Sequence, residues 1–193
     1  MSTHPALSVV EADALYTILS RIKNHDWDGA HEIAQSQEGV WAYDRLHAYL
    51  HRLEGDTANT AYWYRRCGLT ASPVSEKEEW DFLSKWVEPY RMTDEILYHV
   101  ASEEDWNSQL DMTHFTVDSL AIEGFIHLCT KNQYVGVLER YYAGRTDLLL
   151  LHLDASMLRA SLKMEKGPTG DFFPHLFKEI PKNAIIQLEK TTA

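Results

Sequence analysis

Three histidines in the second half of the chain lie in apolar, strand-like segments, and imidazole is the side chain best suited to proton transfer near neutral pH. The segments read Leu-Tyr-His99, Phe-Ile-His127-Leu and Phe-Phe-Pro-His175-Leu-Phe. If these strands are neighbours in one sheet, the three rings converge on a single cleft. Such donors in a mostly apolar pocket predict a site for a polar small molecule.

A carboxylate accompanies the three histidines. Glu165 comes just before the loop at residues 167–170, at the end of a predicted strand, and we include it among the candidate catalytic residues. A structural role is the alternative for each histidine, because a buried imidazole must be hydrogen bonded. For His175 that alternative is an edge-strand corner that packs on Trp106. No pair of these histidines stands at a metal-ligand interval.

The first half of the chain offers a different constellation. His47 and His51 are one helical turn apart, so both side chains project from the same face of a helix. Such a pair can hold a metal with a third ligand such as His31 or Glu54. The alternative is that these histidines hydrogen bond to tyrosines of aromatic-rich helices. From the sequence we expect no metal site. A metal site at His47 and His51 is the alternative.

The composition is that of a globular protein, with 193 residues, 45% hydrophobic, 24% charged and a net charge of -11. This charge argues against general nucleic-acid binding, which needs clustered lysine and arginine. The two cysteines, Cys67 and Cys129, are expected to be buried thiols, and a cytoplasmic location is the simplest expectation. We find no secretion signal, and the longest apolar run, at residues 148–151, is too short to cross a membrane.

The first 70 residues are predicted to form a helical-hairpin module. Apolar side chains recur at three- and four-residue steps in four short segments. Asp26 is placed to cap the second helix, and Asp56 or Thr57 to cap the fourth. Glu54-Gly55-Asp56 is a turn. Residues 71–93 are predicted to be a linker with a helix of its own, whose aromatic residues dock it on one of the two domains.

From residue 94 to 193 the periodicity is mixed, which indicates an α+β domain. Strands are predicted at 95–100, 125–130, 147–154, 163–165, 172–177 and 184–188, with a possible strand at 115–117. Helices are predicted at 102–110, 119–122, 133–142 and 156–162. On the first strand, Tyr98 and His99 face opposite sides.

These segments resemble the uncharacterised bacterial family called domain of unknown function 952 over residues 94–190. The likeness lies in residues 97–99, the Trp106 helix, 123–130, 147–153 and 173–177, followed by Ile180-Pro181. That family is grouped with the ADP-ribosyltransferase superfamily, so the resemblance implies a split β-sheet domain that binds NAD. The order of elements is also similar to RNA 2′-phosphotransferases. The helical half resembles a small bacterial module to which no activity is assigned.

The resemblance implies roles for particular residues. His99 would hydrogen bond a ribose hydroxyl, while His127 and Thr130 would hold the remainder of the nucleotide or substrate. The ligand-binding set would be completed by aromatic residues: Tyr98, Trp106, Phe125 and Phe173. Many members of the superfamily have a glutamate on a late strand where this chain has His175. Either Glu165 would supply the carboxylate instead, or the domain would bind a nucleotide without turning it over.

Three functional hypotheses follow. The first is a protein that binds NAD or another ADP-ribosyl nucleotide, as a small-molecule partner, and acts as a transferase or as a non-catalytic relative. The second is an interaction protein or scaffold in which the helical module docks a protein partner. The third is a metal protein centred on His47 and His51.

Overall fold

A computed structural model describes residues 4–70 and 74–193. The chain divides into two compact units, Met1–Arg91 and Met92–Ala193. The structure thus contains both helix and sheet, as the α+β prediction requires. Residues 71–73, where the predicted linker begins, lie outside the described residues.

The described part of the first unit contains five α-helices. They are α1 (Val9–Lys23), α2 (Trp27–Gln35), α3 (Trp41–Leu53), α4 (Thr57–Arg66) and α5 (Glu76–Val87). The predicted cap of α2 is confirmed, because the carboxylate of Asp26 accepts a hydrogen bond from the backbone N–H group of Gly29. Of the two candidates for α4, Asp56 is the cap, since its carboxylate accepts from the N–H group of Asn59. Gly55 has a φ of 78°, which the tight turn between α3 and α4 requires.

Helix α3 is the centre of the first unit, and residues 42–50 are all buried. Apolar side chains of α1, α2 and α3 form one core with Leu83, Trp86 and Val87 of α5. The helix predicted within residues 71–93 is therefore an integral part of the helical unit. Its burial of large apolar side chains contributes to stability at about 25 cal/mol per Å² of apolar surface removed from water.

A buried ion network fixes α5 to its neighbours. Glu79 of α5 is 1% exposed, and its carboxylate accepts hydrogen bonds from Arg45 and Arg52 of α3 and from the Tyr64 hydroxyl of α4. A buried carboxylate is stable only when it is paired and hydrogen bonded in this way. The network therefore constrains the packing of α3, α4 and α5.

The second unit contains eight strands and three α-helices among its described residues. The strands are β1 (Ile96–Ser102), β2 (His114–Phe115), β3 (Ile126–His127), β4 (Leu148–Asp154), β5 (Leu162–Lys166), β6 (Phe172–Leu176), β7 (Ile180–Pro181) and β8 (Ile185–Thr191). The helices are α6 (Glu103–Asn107), α7 (Asp118–Ile122) and α8 (Tyr134–Tyr141).

Two three-stranded antiparallel sheets form the framework of this unit, in the orders β1-β4-β8 and β3-β6-β5. They are joined where Tyr98 and Cys129 exchange two backbone hydrogen bonds of 2.8 and 2.9 Å. Strands β2 and β7 form a separate pair. The edges of the two larger sheets thus meet at one residue pair, and the strands β1 and β3 are otherwise separately paired.

Three predicted elements differ from the structure. The strand predicted at 125–130 is a regular strand only at β3, and Cys129 beyond it forms an isolated pair with Tyr98. Pro174 opposite Leu128 has no N–H, so that pair has one hydrogen bond in place of two. The helix predicted at 156–162 is instead two short 3₁₀ turns, Ala155–Met157 and Arg159–Ser161. The strand at 115–117 is β2, and β7 was not predicted.

Two predictions from composition can also be compared with the structure. Cys67 and Cys129 are both buried free thiols, as expected. Within residues 4–70 and 74–193, every helix is too short or too polar to cross a bilayer.

Candidate functional site

The second unit brings two of the three predicted histidines into contact. His127 of β3 lies directly opposite His175 of β6, and residues opposite each other in antiparallel strands share one face of the sheet. Their ring centroids are 5.1 Å apart and the rings are nearly perpendicular, at 86°. The His175 side chain is 12% exposed and that of His127 is 55% exposed, so this pair can be reached from solvent.

Each imidazole of the pair has its own carboxylate. The Nδ1 atom of His175 lies 2.7 Å from a carboxylate oxygen of Glu165, and Nε2 of His127 lies 3.3 Å from one of Glu123. An ionised carboxylate only accepts hydrogen bonds, so each imidazole donates the hydrogen of that nitrogen and exposes a lone pair on the other when neutral. Burial lowers the pKa of His175, and the hydrogen bond that His175 donates to Glu165 opposes this effect.

Aromatic and cationic groups surround the pair on the same face. The Phe125 ring is stacked on His175, with centroids 4.0 Å apart and an interplanar angle of 10°. Phe177 contacts Phe125, and the ammonium group of Lys163 lies 4.6 Å from the centre of the Phe177 ring. The face therefore combines an aromatic platform, two proton-transfer groups and both signs of charge.

His99 lies elsewhere. Tyr98 packs in the cluster with Cys129 and Leu138, and successive strand residues face opposite ways, so His99 occupies the other face of the sheet from His127 and His175. Its Nδ1–H donates a 2.8 Å hydrogen bond to the His127 carbonyl oxygen, and its ring lies 6.0 Å from that of Phe115. Of the three imidazoles expected to converge, those of His127 and His175 are in contact and that of His99 is apart from them.

Burial is the main influence on His99. It lowers the pKa of His99 to about 4, with the hydrogen bond to the His127 backbone acting in the opposite direction. The Nε2 atom is buried and has no hydrogen-bond partner within the described residues.

Three further predicted ligand-binding residues lie on different faces of the sheet. Tyr98 and Phe173 lie on the His127 face, but they are packed under Tyr134 and Val137 of α8. Trp106 contacts Phe115 on the His99 side, at 5.5 Å between ring centroids. Trp106 therefore does not pack on His175, and β6 is the middle strand of its sheet, so the edge-strand alternative is wrong.

Thr130 stands at the start of α8. Its backbone N–H donates to the side-chain oxygen of Gln133, whose amide donates to the Phe172 carbonyl oxygen. Thr130 thereby helps to tie the beginning of α8 to β6, which carries His175. Two residues of the His127 face, Glu123 and Lys163, were not predicted. Lys163 is two residues before Glu165 on the strand predicted at 163–165, and this spacing was its only sequence signal. Glu123 had no such signal.

The first unit contains a second cluster of histidines. Ring nitrogens of His31, His47 and His51 all lie within 4.8 Å of one another. His47 is 2% exposed and stacks on Trp63 with ring centroids 4.0 Å apart. Burial, followed by the neighbouring rings of His51 and His31, lowers the pKa of His47 to about 4.

Comparison with known proteins agrees with the resemblance noted in the second unit. Residues 100–188, just under half of the chain, match the family described as "Protein of unknown function (DUF952)". The predicted likeness to this family is thus confirmed over those residues, and the match does not extend into the helical unit.

Solved structures of one bacterial protein are similar to part of the chain. The crystal structure of protein CC0527 from Caulobacter crescentus is 27% identical over 49% of this chain and 84% of that protein, with a TM-score of 0.46. Its solution NMR structure is 26% identical over 51% of this chain and 86% of that protein, also with a TM-score of 0.46. No curated protein matches the sequence.

Proposed function

We propose that the second unit binds a nucleotide bearing an ADP-ribosyl group, with NAD as the first candidate, on the face that carries His127 and His175. The observation that carries this proposal is the contact between two imidazoles that each have a separate carboxylate partner, Glu123 and Glu165, on an accessible face. Neutral imidazole nitrogens and carboxylates can hydrogen bond the ribose hydroxyls.

Other groups of the face suit the remaining parts of such a ligand. The aromatic rings of Phe125 and Phe177 offer a surface for a base or a nicotinamide ring. Lys163 supplies positive charge for a pyrophosphate, which the two carboxylates would otherwise repel. The separate pairing of β1 and β3 beyond Tyr98 and Cys129 also agrees with the split sheet that the family resemblance implies.

Transfer of the ADP-ribosyl group is the reaction to which this proposal extends. Cleavage of the nicotinamide–ribose bond develops positive charge at the anomeric carbon, and a nearby carboxylate stabilises it. Glu165 is the residue proposed for that role, since it lies on β5 beside His175, the position at which the superfamily often has a glutamate. Turnover would be supported if the wild-type protein releases nicotinamide from NAD and Glu165→Gln still binds NAD but no longer releases nicotinamide.

Calorimetric titration of the full chain with NAD and with ADP-ribose tests the binding proposal. We expect saturable binding that weakens about tenfold in His127→Ala and in His175→Ala, because each loses a hydrogen bond worth about 1.4 kcal/mol to the ligand. His114→Ala is the matched control, since His114 is exposed in the same unit and lines a separate hollow of about 570 Å³.

Two results would contradict the proposal. One is an absence of heat at millimolar ligand with a correctly folded protein. The other is binding that His114→Ala weakens and His127→Ala leaves unchanged, which would place the nucleotide in the other hollow.

A further inference from the structure

The histidine cluster of the helical unit has the geometry of a metal site. His47 and His51 lie one turn apart on α3, and His31 approaches them from α2. Ring centroids are 5.1 Å apart for His31 and His47 and 4.8 Å apart for each of the other two pairs. Three imidazoles meeting from two helices of one packed core are unusual for a purely apolar contact, because each ring carries polar nitrogens.

The nitrogens at the centre of this cluster lack partners. Both ring nitrogens of His47 and Nδ1 of His31 are buried without a hydrogen bond among the described residues. Buried polar atoms are nearly always satisfied, and leaving one unsatisfied costs about 1–3 kcal/mol. Unsatisfied nitrogens on two neighbouring rings of one buried cluster indicate that a bound species completes their coordination.

The distances suit a metal ion after small movements of the rings. The ligand nitrogens lie within 4.8 Å of one another, whereas metal–nitrogen bonds of about 2.0–2.1 Å in tetrahedral geometry put nitrogens about 3.4 Å apart. His31 and His51 are only half-buried, so rotation of their rings can close this difference. His47 is held in place by Trp63 and supplies the fixed ligand.

Glu54 has the position of an outer-shell carboxylate. Both of its oxygens lie 3.1 Å from Nε2 of His31, and one lies 3.3 Å from Nδ1 of His51. The ionised carboxylate can only accept, so it holds the hydrogen of His31 on Nε2 and leaves Nδ1 as a lone pair that faces the cluster. This carboxylate–histidine arrangement is the one that supports metal ligands in many proteins.

We propose that His31, His47 and His51 bind one divalent transition-metal ion of the zinc type, with Glu54 orienting His31. Three imidazoles select borderline ions such as Zn²⁺ or Co²⁺ over Mg²⁺ and Ca²⁺, which take oxygen ligands. Three protein ligands leave a fourth position for water or another small ligand. The first unit would then have a chemistry separate from nucleotide binding in the second.

Metal titration of the untagged, chelator-treated full chain tests this site. In competition with a chromophoric chelator, we expect one Zn²⁺ per chain and no competition from Mg²⁺. His31→Asn and His51→Asn should each lose more than about 100-fold in affinity. Glu54→Gln should lose about 10- to 100-fold, as is typical for outer-shell partners.

His25→Asn is the matched control for these variants. His25 is exposed in the same unit at a φ of 59°, a conformation that asparagine accepts readily, so this variant should keep wild-type affinity and fold. Binding of Co²⁺ gives a second readout that needs no variant, because nitrogen-rich tetrahedral coordination produces visible absorption bands.

Failure of the wild-type chain to bind Zn²⁺ at micromolar concentration, or to develop those Co²⁺ bands, would overturn the proposal. So would Zn²⁺ affinity that is unchanged in a folded His51→Asn or Glu54→Gln protein. Circular dichroism of each metal-free variant establishes whether it is folded before its affinity is compared.

Discussion

The alternation of side chains between the two faces of a sheet decides which of the three C-terminal histidines can act together. His127 and His175 are opposite each other in neighbouring strands, so their rings meet on one face. His99 alternates with Tyr98, which packs under α8, so its ring is buried on the other face. The sequence indicates the alternation within each strand, but the pairing register comes only from the folded sheet.

The buried state of His99 has a consequence for stability. Its pKa falls from 6.5 to about 4 on folding, so the unfolded chain binds more protons between those values. The contribution of neutral His99 to the unfolding free energy is therefore fully present above pH 6.5 and is lost as the pH falls toward 4. The unfolding free energy of the wild-type protein should fall between pH 7 and pH 4.5. In His99→Gln we expect this fall to be smaller by about 2 kcal/mol.

Urea titrations followed by NMR signals of the second unit measure this difference. His114→Gln, which replaces an exposed histidine of the same unit, is the matched control for the substitution itself. An identical slope in His99→Gln and the wild-type protein would show that His99 is not held neutral by burial.

At the scale of elements, local signals in the sequence predicted the helices better than the strand ends. Asp26 and Asp56 cap α2 and α4 as expected, because a cap depends on residues close in sequence. The length of β3 depends on Pro174, which is far along the chain, and could not be predicted from residues 125–130 alone. The two 3₁₀ turns after β4 have the same apolar spacing as a short helix.

The sequence identified part of the candidate site. His127, His175, Glu165 and Phe125 were all identified and lie together. Glu123 was missed because nothing in its local pattern distinguishes it from an ordinary exposed glutamate. The sequence offered His31 and Glu54 as two candidate third ligands for His47 and His51. The choice of His31 depends on the packing of α2 on α3, which the sequence does not show.

The packing of α5 gives a prediction at the same scale. Glu79→Ala should lower the unfolding free energy of the first unit by about 3–5 kcal/mol, because it leaves the buried guanidinium of Arg45 without its partner. Chemical denaturation followed by far-ultraviolet circular dichroism measures this loss. Glu76→Ala, at an exposed position of the same helix, should change stability by less than about 0.5 kcal/mol. Equal effects of the two substitutions would contradict the role of the network.

At the scale of the whole molecule, the chain consists of two units with separate cores and separate candidate sites. The apolar core of the first is built from helices α1, α2, α3 and α5, and that of the second lies between its sheets and α8. Each has many internal contacts of its own. The two activities proposed for the chain therefore belong to different units.

This division predicts that residues 1–91 and 92–193 fold when produced separately. Each piece should unfold in one cooperative transition, and Zn²⁺ should raise the melting temperature of the first piece only. Trp106 is the single tryptophan of the second piece and reports its unfolding by fluorescence. A second piece without a cooperative transition would show that its fold depends on the helical unit.

The most direct test of nucleotide binding is the NMR response of the histidine rings to NAD or ADP-ribose. We predict saturable shifts of the His127 and His175 ring signals, with the His114 signals unchanged, because only the first two lie on the proposed binding face. Ring signals of His127 and His175 that stay fixed at millimolar nucleotide would contradict the proposal.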